Sequence, residues 1–242
     1  MTAMRLKRYP SPSGGIALGK MGVGATMLRQ GKTARDYVQS GLVFLYDGIE
    51  NDGWQTNNPL PSTWKDLIGG LGDIPIINAS YANDHYHWDS EKTDSVTSVP
   101  KPTIDGINVL EVVAAATSLG GAGVSFITMR GGSGRRKLMA YVNGRRQSEI
   151  TGNIFGFSFT PIVNTAYTYS GNFNAPSLHV NGTMQTQTTT IATWGVDSNN
   201  DVVFGGYYSG CNIYCVRGYS RALTADEIAA NYAIDKARFG LP

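Results

Sequence analysis

Six consecutive residues, Asp84-His85-Tyr86-His87-Trp88-Asp89, carry the densest set of potential ligands in a chain of 242 residues. In an extended strand successive side chains alternate, so His85, His87 and Asp89 fall on one face. Imidazole and carboxylate groups are donors that first-row transition metals accept. The plainer reading is preferred: these are polar residues on the outer face of a strand, and a metal would need a completing ligand from elsewhere. A second stretch, Asp197-Ser-Asn-Asn-Asp201, spaces the oxygens of Asp197, Asn199 and Asp201 in alternation, as a calcium loop does. It lacks the later bidentate glutamate of an EF-hand and fits a turn between strands better, so calcium is a candidate cofactor here and none is required. Trp54, Trp88, Tyr207 and Tyr208, with His85 and His87, are candidate glycan contacts, because aromatic faces suit the apolar faces of sugar rings; core or rim packing is their alternative.

The glycine-rich run Gly131 to Gly134, followed by Arg135, Arg136 and Lys137, has neither the spacing of a phosphate-binding loop nor a following helix. With Arg130, Arg145 and Arg146 it makes a basic hairpin end, solvated or turned to an acidic partner. No tight Glu-x-Asp-x-(x)-Glu series places the nucleophile and acid of a glycoside hydrolase on one strand. No Gly-x-Ser-x-Gly elbow and no cysteine–histidine pair stands in for them. The expectation is therefore a protein that is not an enzyme.

These groups must be positioned by strands. Leu42–Tyr46, Ile74–Ile77, Tyr81–Trp88, Gly106–Ala114, Gly152–Thr160, Ala166–Phe173, Ser177–Val180, Thr186–Thr193 and Val202–Gly205 all read as extended segments. Val124–Arg130 and Lys137–Asn143 read as a hairpin around Gly131–Gly134, and Asn143-Gly144 and Asn181-Gly182 are hairpin turn signals. The last strand, Gly210–Tyr219, has apolar residues at both parities, which places it inside a sheet covered on both sides. Alternation puts Ile213 and Cys215 on one face and Tyr214 and Val216 on the other. Cys211 and Cys215 then share a face about 13 Å apart at the usual rise, too far for a disulfide.

The chain ends in the single predicted helix. Thr224-Ala225-Asp226-Glu227 is a capping box, with Leu223 and Ile228 placed as a hydrophobic staple. Asp226 and Glu227 in the first turn, Lys236 and Arg238 in the last, and Gly240 after them suit the helix dipole and a glycine stop.

Two segments carry a family resemblance. Ile213-Tyr-Cys-Val-Arg-Gly-Tyr-Ser-Arg-Ala-Leu-Thr-Ala-Asp-Glu-Ile228 with Asn231-Tyr232 resembles the closing strand and helix of the laminin-G-like (concanavalin A-like) domains, especially those of gut bacteria and their phages. Ser40–Asn51 with Trp64–Gly69 resembles that family's opening strand and first loop. Gly218 departs from the pattern, which more often has an apolar residue there. The resemblance and the strand pattern together imply an all-β fold: an antiparallel two-sheet jelly-roll sandwich over residues 36–242 with a short C-terminal helix. Jelly rolls of this class often bind calcium beside a glycan.

Before it, residues 1–35 hold seven basic side chains and no acidic one. Their glycines and prolines break any regular element. This reads as an extended basic arm, with Arg5, Lys7 and Arg8 as candidate anchoring residues toward a partner. Seven spread charges without an aromatic or helical reading device make nucleic acid an unlikely partner. No apolar run reaches the roughly 20 residues of a membrane helix, and the first residues lack the apolar core of a signal peptide. The functional expectation is a phage virion structural protein (head fibre, capsid decoration or tail component), homo-oligomeric, attached to other virion proteins by its arm, with a lectin-like domain facing glycans. The alternative is a carbohydrate-binding module or lectin at a bacterial cell surface.

Overall fold

A computed structural model describes residues 32–51, 62–82, 84–89, 97–100, 106–118, 124–131, 134–140, 148–150, 153–192, 201–205 and 210–242. Arg5, Lys7, Arg8, Trp54, Asp197, Asn199, Tyr207 and Tyr208 lie outside the described residues.

Among the described residues the strands are β1 (Leu42–Asp47), β2 (Thr63–Trp64), β3 (Ile74–Pro75), β4 (Ala79–Ala82), β5 (His85–Trp88), β6 (Thr97–Pro100), β7 (Val109–Ala116), β8 (Val124–Gly131) and β9 (Gly134–Ala140). They continue as β10 (Ser148–Ile150), β11 (Asn153–Phe157), β12 (Tyr167–Asn172), β13 (Ser177–Val180), β14 (Thr183–Met184), β15 (Gln187–Ala192), β16 (Asp201–Phe204) and β17 (Cys211–Tyr219), followed by the helix α1 (Ala225–Phe239). The fold is all-β, an antiparallel two-sheet sandwich with one C-terminal helix. The larger sheet runs β14-β13-β12-β7-β17-β5-β4, and β1 also pairs with β17. The facing sheet runs β15-β11-β10-β9-β8-β16-β6.

The stretch read as one strand over Tyr81–Trp88 is two: β4 and β5 form a tight hairpin that pairs Tyr81 with Tyr86 and Ala82 with His85. The predicted hairpin of β8 and β9 closes with Gly131 opposite Gly134. At Asn181-Gly182 both residues have positive φ, 49° and 74°. That is the backbone a two-residue hairpin turn requires, and asparagine followed by glycine adopts it at least cost.

Strand β17 is the centre of the larger sheet. One edge pairs with β7 over its whole length; the other is shared end to end, by β5 at Cys211–Ile213 and by β1 at Cys215–Tyr219. A bulge lies between Ile213 and Cys215. It shifts the alternation, so Cys211, Ile213 and Val216 enter the core between the sheets, while Tyr214 and Cys215 turn to the opposite side. The predicted pairing of Ile213 with Cys215 on one face is therefore wrong, and so is a shared face for the two cysteines. Both are buried free thiols.

The core between the sheets holds Phe44, Tyr46, Trp64, Tyr86, Trp88, Phe126, Phe157, Tyr169 and Phe204. Gly218 has no side chain because Phe44 takes its place: a Cβ there would stand 2.0 Å from Phe44 Cε1. The other side of the larger sheet is covered by α1 and by residues 33–38. Ala34, Tyr37, Leu45, Val113, Cys215, Ile234, Phe239 and Leu241 form one apolar cluster there, and Val109, Tyr219, Leu223 and Ile228 another. Strand β7 is buried at all eight positions for this reason: it is roofed on both faces.

Both halves of the predicted capping box are present. Thr224 Oγ1 accepts from the Glu227 amide at 3.2 Å and Glu227 Oε2 accepts from the Thr224 amide at 2.9 Å. Gly240 adopts the left-handed conformation and its N–H donates to the Lys236 carbonyl.

Candidate functional site

Helix α1 and its neighbouring segment do not cover the whole outer face of the larger sheet. Over β4, β5 and the start of β17 a polar strip is left. Alternation along β5 sends Tyr86 and Trp88 fully into the core, which forces His85 and His87 outward. Across the ladder His87 stands opposite Asn212 of β17 on one side and Ser80 of β4 on the other.

Each imidazole is held from behind. His85 Nδ1 lies 2.8 Å from Asp84 Oδ1, and His87 Nδ1 lies 2.7 Å from Asn212 Oδ1. Carboxylate and amide oxygens only accept, so in both rings Nδ1 carries the proton and donates it. The His85 ring packs on Tyr214 at 4.6 Å between centroids, and Tyr214 in turn meets Phe239 at 5.8 Å. The bulge that turns Tyr214 outward is what supplies this aromatic wall. Gly48 closes the end of the strip, because its amide donates to the Tyr214 carbonyl at 2.8 Å and a Cβ on it would stand 2.1 Å from the Asp84 carbonyl.

Of the predicted glycan contacts, the strip brings together His85 and His87. It excludes Trp88, which is fully buried and stacks on Phe204 at 6.5 Å between centroids. Trp88 is a core residue because it follows the parity of Tyr86. Ser80, Asp84, Asn212 and Tyr214 were missed; the register between β5 and β17 and the bulge select them, and neither leaves a local signal. Asp201 begins β16, half-buried and opposite Pro100 and Arg130. Among the described residues no group of three or more His, Cys, Asp or Glu could hold a metal, so Asp89 does not complete a set with the two histidines.

Beneath α1 lies a second polar cluster, buried except at its edge, where Glu50 is exposed. Arg217 donates from Nε to Glu111 Oε2 at 3.0 Å and from Nη1 and Nη2 to both oxygens of Asp235 at 2.6 and 2.7 Å. Asn231 donates to Glu111 at 2.7 Å and accepts from the Val38 amide at 2.9 Å; Thr168 donates to Asp235 at 2.8 Å. Arg238 donates to Asp47 at 2.8 Å, Glu50 at 2.6 Å and the Lys32 carbonyl at 3.1 Å. The Tyr37 ring lies under the Arg217 guanidinium at 4.0 Å. Burial raises the Glu111 carboxyl above its ordinary range, with Arg217 pulling against it, and does the same to Asp47 against Arg238. Burial likewise pushes up the Cys215 thiol and the Tyr37 hydroxyl. This cluster ties residues 32–38, α1, β1, β7, β12 and β17 together. The helix side facing the sheet is thus mixed: Ile228, Ile234 and Phe239 join the apolar clusters, while Asn231, Asp235 and Arg238 enter the buried polar cluster.

No protein-family model matches the chain, and no curated protein matches it in sequence. Solved structures do. A Trypanosoma rangeli sialidase in complex with sialic acid superposes with a TM-score of 0.58 at 14% identity, over 82% of this chain and 33% of the sialidase. The binding domain of botulinum neurotoxin serotype D gives a TM-score of 0.51 at 12% identity, over 80% of this chain and 50% of that one. The chain thus spans about a third of the sialidase's length. At these identities the likeness shows the fold. It also corrects the expectation that the chain is not an enzyme: the fold occurs within an enzyme, the sialidase, and the absence of a carboxylate motif from the sequence does not exclude catalysis.

Proposed function

We propose that this chain is a laminin-G-like glycan-binding module carried by its basic arm on a larger assembly. The observation that carries the reading is the polar strip on the outer face of the larger sheet, where Ser80 is exposed and His85, His87, Asn212 and Tyr214 are half-buried. There Tyr214 offers a ring, while His85, His87, Asn212 and Ser80 offer hydrogen-bonding groups on a rigid floor. A flat aromatic beside convergent polar groups is the combination that takes a sugar ring. The test is binding of the full chain to an array that includes sialylated and neutral glycans, followed by titration of any positive glycan. Asn212→Ala and Tyr214→Ala are expected to weaken binding at least tenfold without changing the unfolding midpoint by more than a few degrees. Wild-type affinity in both variants overturns the placement of the site.

The assembly we propose is a phage particle, and a bacterial surface lectin is the alternative. The asymmetry of charge supports an arm that docks, with seven basic residues and no acid in residues 1–35. Where the arm meets the sandwich, its root is clamped: Lys32 accepts from Arg238, and Thr33 caps the short 3-10 turn Ala34–Asp36. Co-sedimentation with assembled particles distinguishes the two readings. Incorporation that is lost on reversing the charge of Arg5, Lys7 and Arg8 supports the particle, whereas a full-length chain that never co-sediments overturns it.

A further inference from the structure

We propose that His85 and His87 form a two-imidazole chelate for a divalent first-row transition-metal ion. Three observations carry this. The histidines stand two residues apart on a strand whose intervening and following side chains, Tyr86 and Trp88, are locked in the core, so both imidazoles face the same side. Their Cα atoms are about 6.6 Å apart at the usual strand rise, a span that two imidazoles close around one ion at ligand distances of about 2.0–2.1 Å. Each Nδ1–H is committed to an oxygen behind it, Asp84 Oδ1 at 2.8 Å and Asn212 Oδ1 at 2.7 Å.

The third point decides the chemistry. A proton fixed on Nδ1 leaves the lone pair on Nε2, and neither Nε2 has a hydrogen-bond partner among the described residues. An imidazole whose far nitrogen donates to a carboxylate or carbonyl-type oxygen is the usual state of a metal-bound histidine, because that bond sets the tautomer, aims the ring and raises its basicity. Imidazole nitrogens select zinc, nickel or copper over calcium and magnesium, which take oxygen. Water, or a donor atom from a bound molecule, completes the coordination, since among the described residues no third protein ligand converges there. The inference does not depend on the glycan reading: metal binding is measured without sugar.

The composition makes the test clean. The chain has three histidines, and the third, His179, lies on β13. Both cysteines are buried and do not compete. The full chain is titrated with Zn2+ alone by calorimetry, and each variant's unfolding midpoint is recorded to confirm that it folds. One saturable site is expected. His85→Ala and His87→Ala each lower affinity at least tenfold, and His179→Ala leaves it unchanged. Asn212→Leu, which removes only the oxygen behind His87, lowers affinity roughly 10–100-fold, while Asn212→Asp retains it. Absence of saturable Zn2+ binding by the folded wild-type chain overturns the proposal. So does wild-type affinity in His87→Ala, or a loss in His179→Ala equal to that in His87→Ala.

Discussion

Replacing Arg217 by alanine tests whether the ionic cluster under α1 is what holds the helix and the 32–38 segment on the sheet. Arg217, Glu111 and Asp235 are all fully buried, and the guanidinium makes three charge-assisted hydrogen bonds to the two carboxylates. Removing it strands two carboxylates in a dry site, so the cost is that of breaking a buried ion pair, about 3–5 kcal/mol. In a chain of this size 1 kcal/mol moves the midpoint by about 2–4 °C, so thermal unfolding by circular dichroism is expected to fall by about 6–20 °C. The loss depends on pH with a definite sign. Burial already raises the folded-state pKa of Glu111 above its ordinary 4.5 while Arg217 lowers it; without Arg217 burial and the Asp235 charge are opposed only by the smaller effects of hydrogen bonds from Asn231 and Ser170. A carboxyl with a raised folded pKa favours folding below its unfolded pKa and loses that contribution as pH rises through the folded value. The deficit of Arg217→Ala is therefore smallest near pH 4 and grows toward pH 8. Arg217→Met combined with Glu111→Gln and Asp235→Asn removes every charge at once and should recover much of the loss. An Arg217→Ala midpoint within 2 °C of wild type at every pH would refute the reasoning, because the carboxylates could not then be buried and dependent on it.

Gly218→Ala forces a methyl into the Phe44 ring and should destabilise by about 1–3 kcal/mol in denaturant titration, with Phe44→Leu partly restoring the double variant. Thr224→Ala removes the helix cap and should cost about 1 kcal/mol by the same measurement. Arg221 and the Thr224 amide hold Glu227 down at about 2, so the capping contribution is complete above the ordinary carboxylate range and fades as pH falls toward 2. A chain starting at Lys32 should keep the wild-type midpoint, whereas one starting at Gln39 loses Ala34, Tyr37 and the Val38–Asn231 hydrogen bond and should melt several degrees lower.

The terminal helix and its caps were legible because each signal is local. Thr224, Glu227 and Gly240 act on backbone groups within four residues of themselves, so their types alone fix where the helix starts and stops. Most of the longer strands were legible to within a few residues for the same reason, since glycine, proline and Asn-Gly punctuate them, whereas the short strands β2, β6, β10 and β14 were not. The division of Tyr81–Trp88 into two strands was not: although the turn-type pair Asn83-Asp84 interrupts the alternation, the pairing of Ala82 with His85 is what makes the hairpin.

The sequence by itself determined the all-β class, the capped helix, the outward parity of His85 and His87 and the basic charge of residues 1–35, because these follow from neighbours along the chain. Tertiary structure alone decided which side of the sheet Tyr214 and Cys215 face, and that Asp235 and Arg238 are buried. A bulge shifts parity by a single residue without a side-chain signature. An ion pair such as Asp47 with Arg238 joins residues 191 apart, whose charges read as exposed until the fold brings each the partner that offsets its burial.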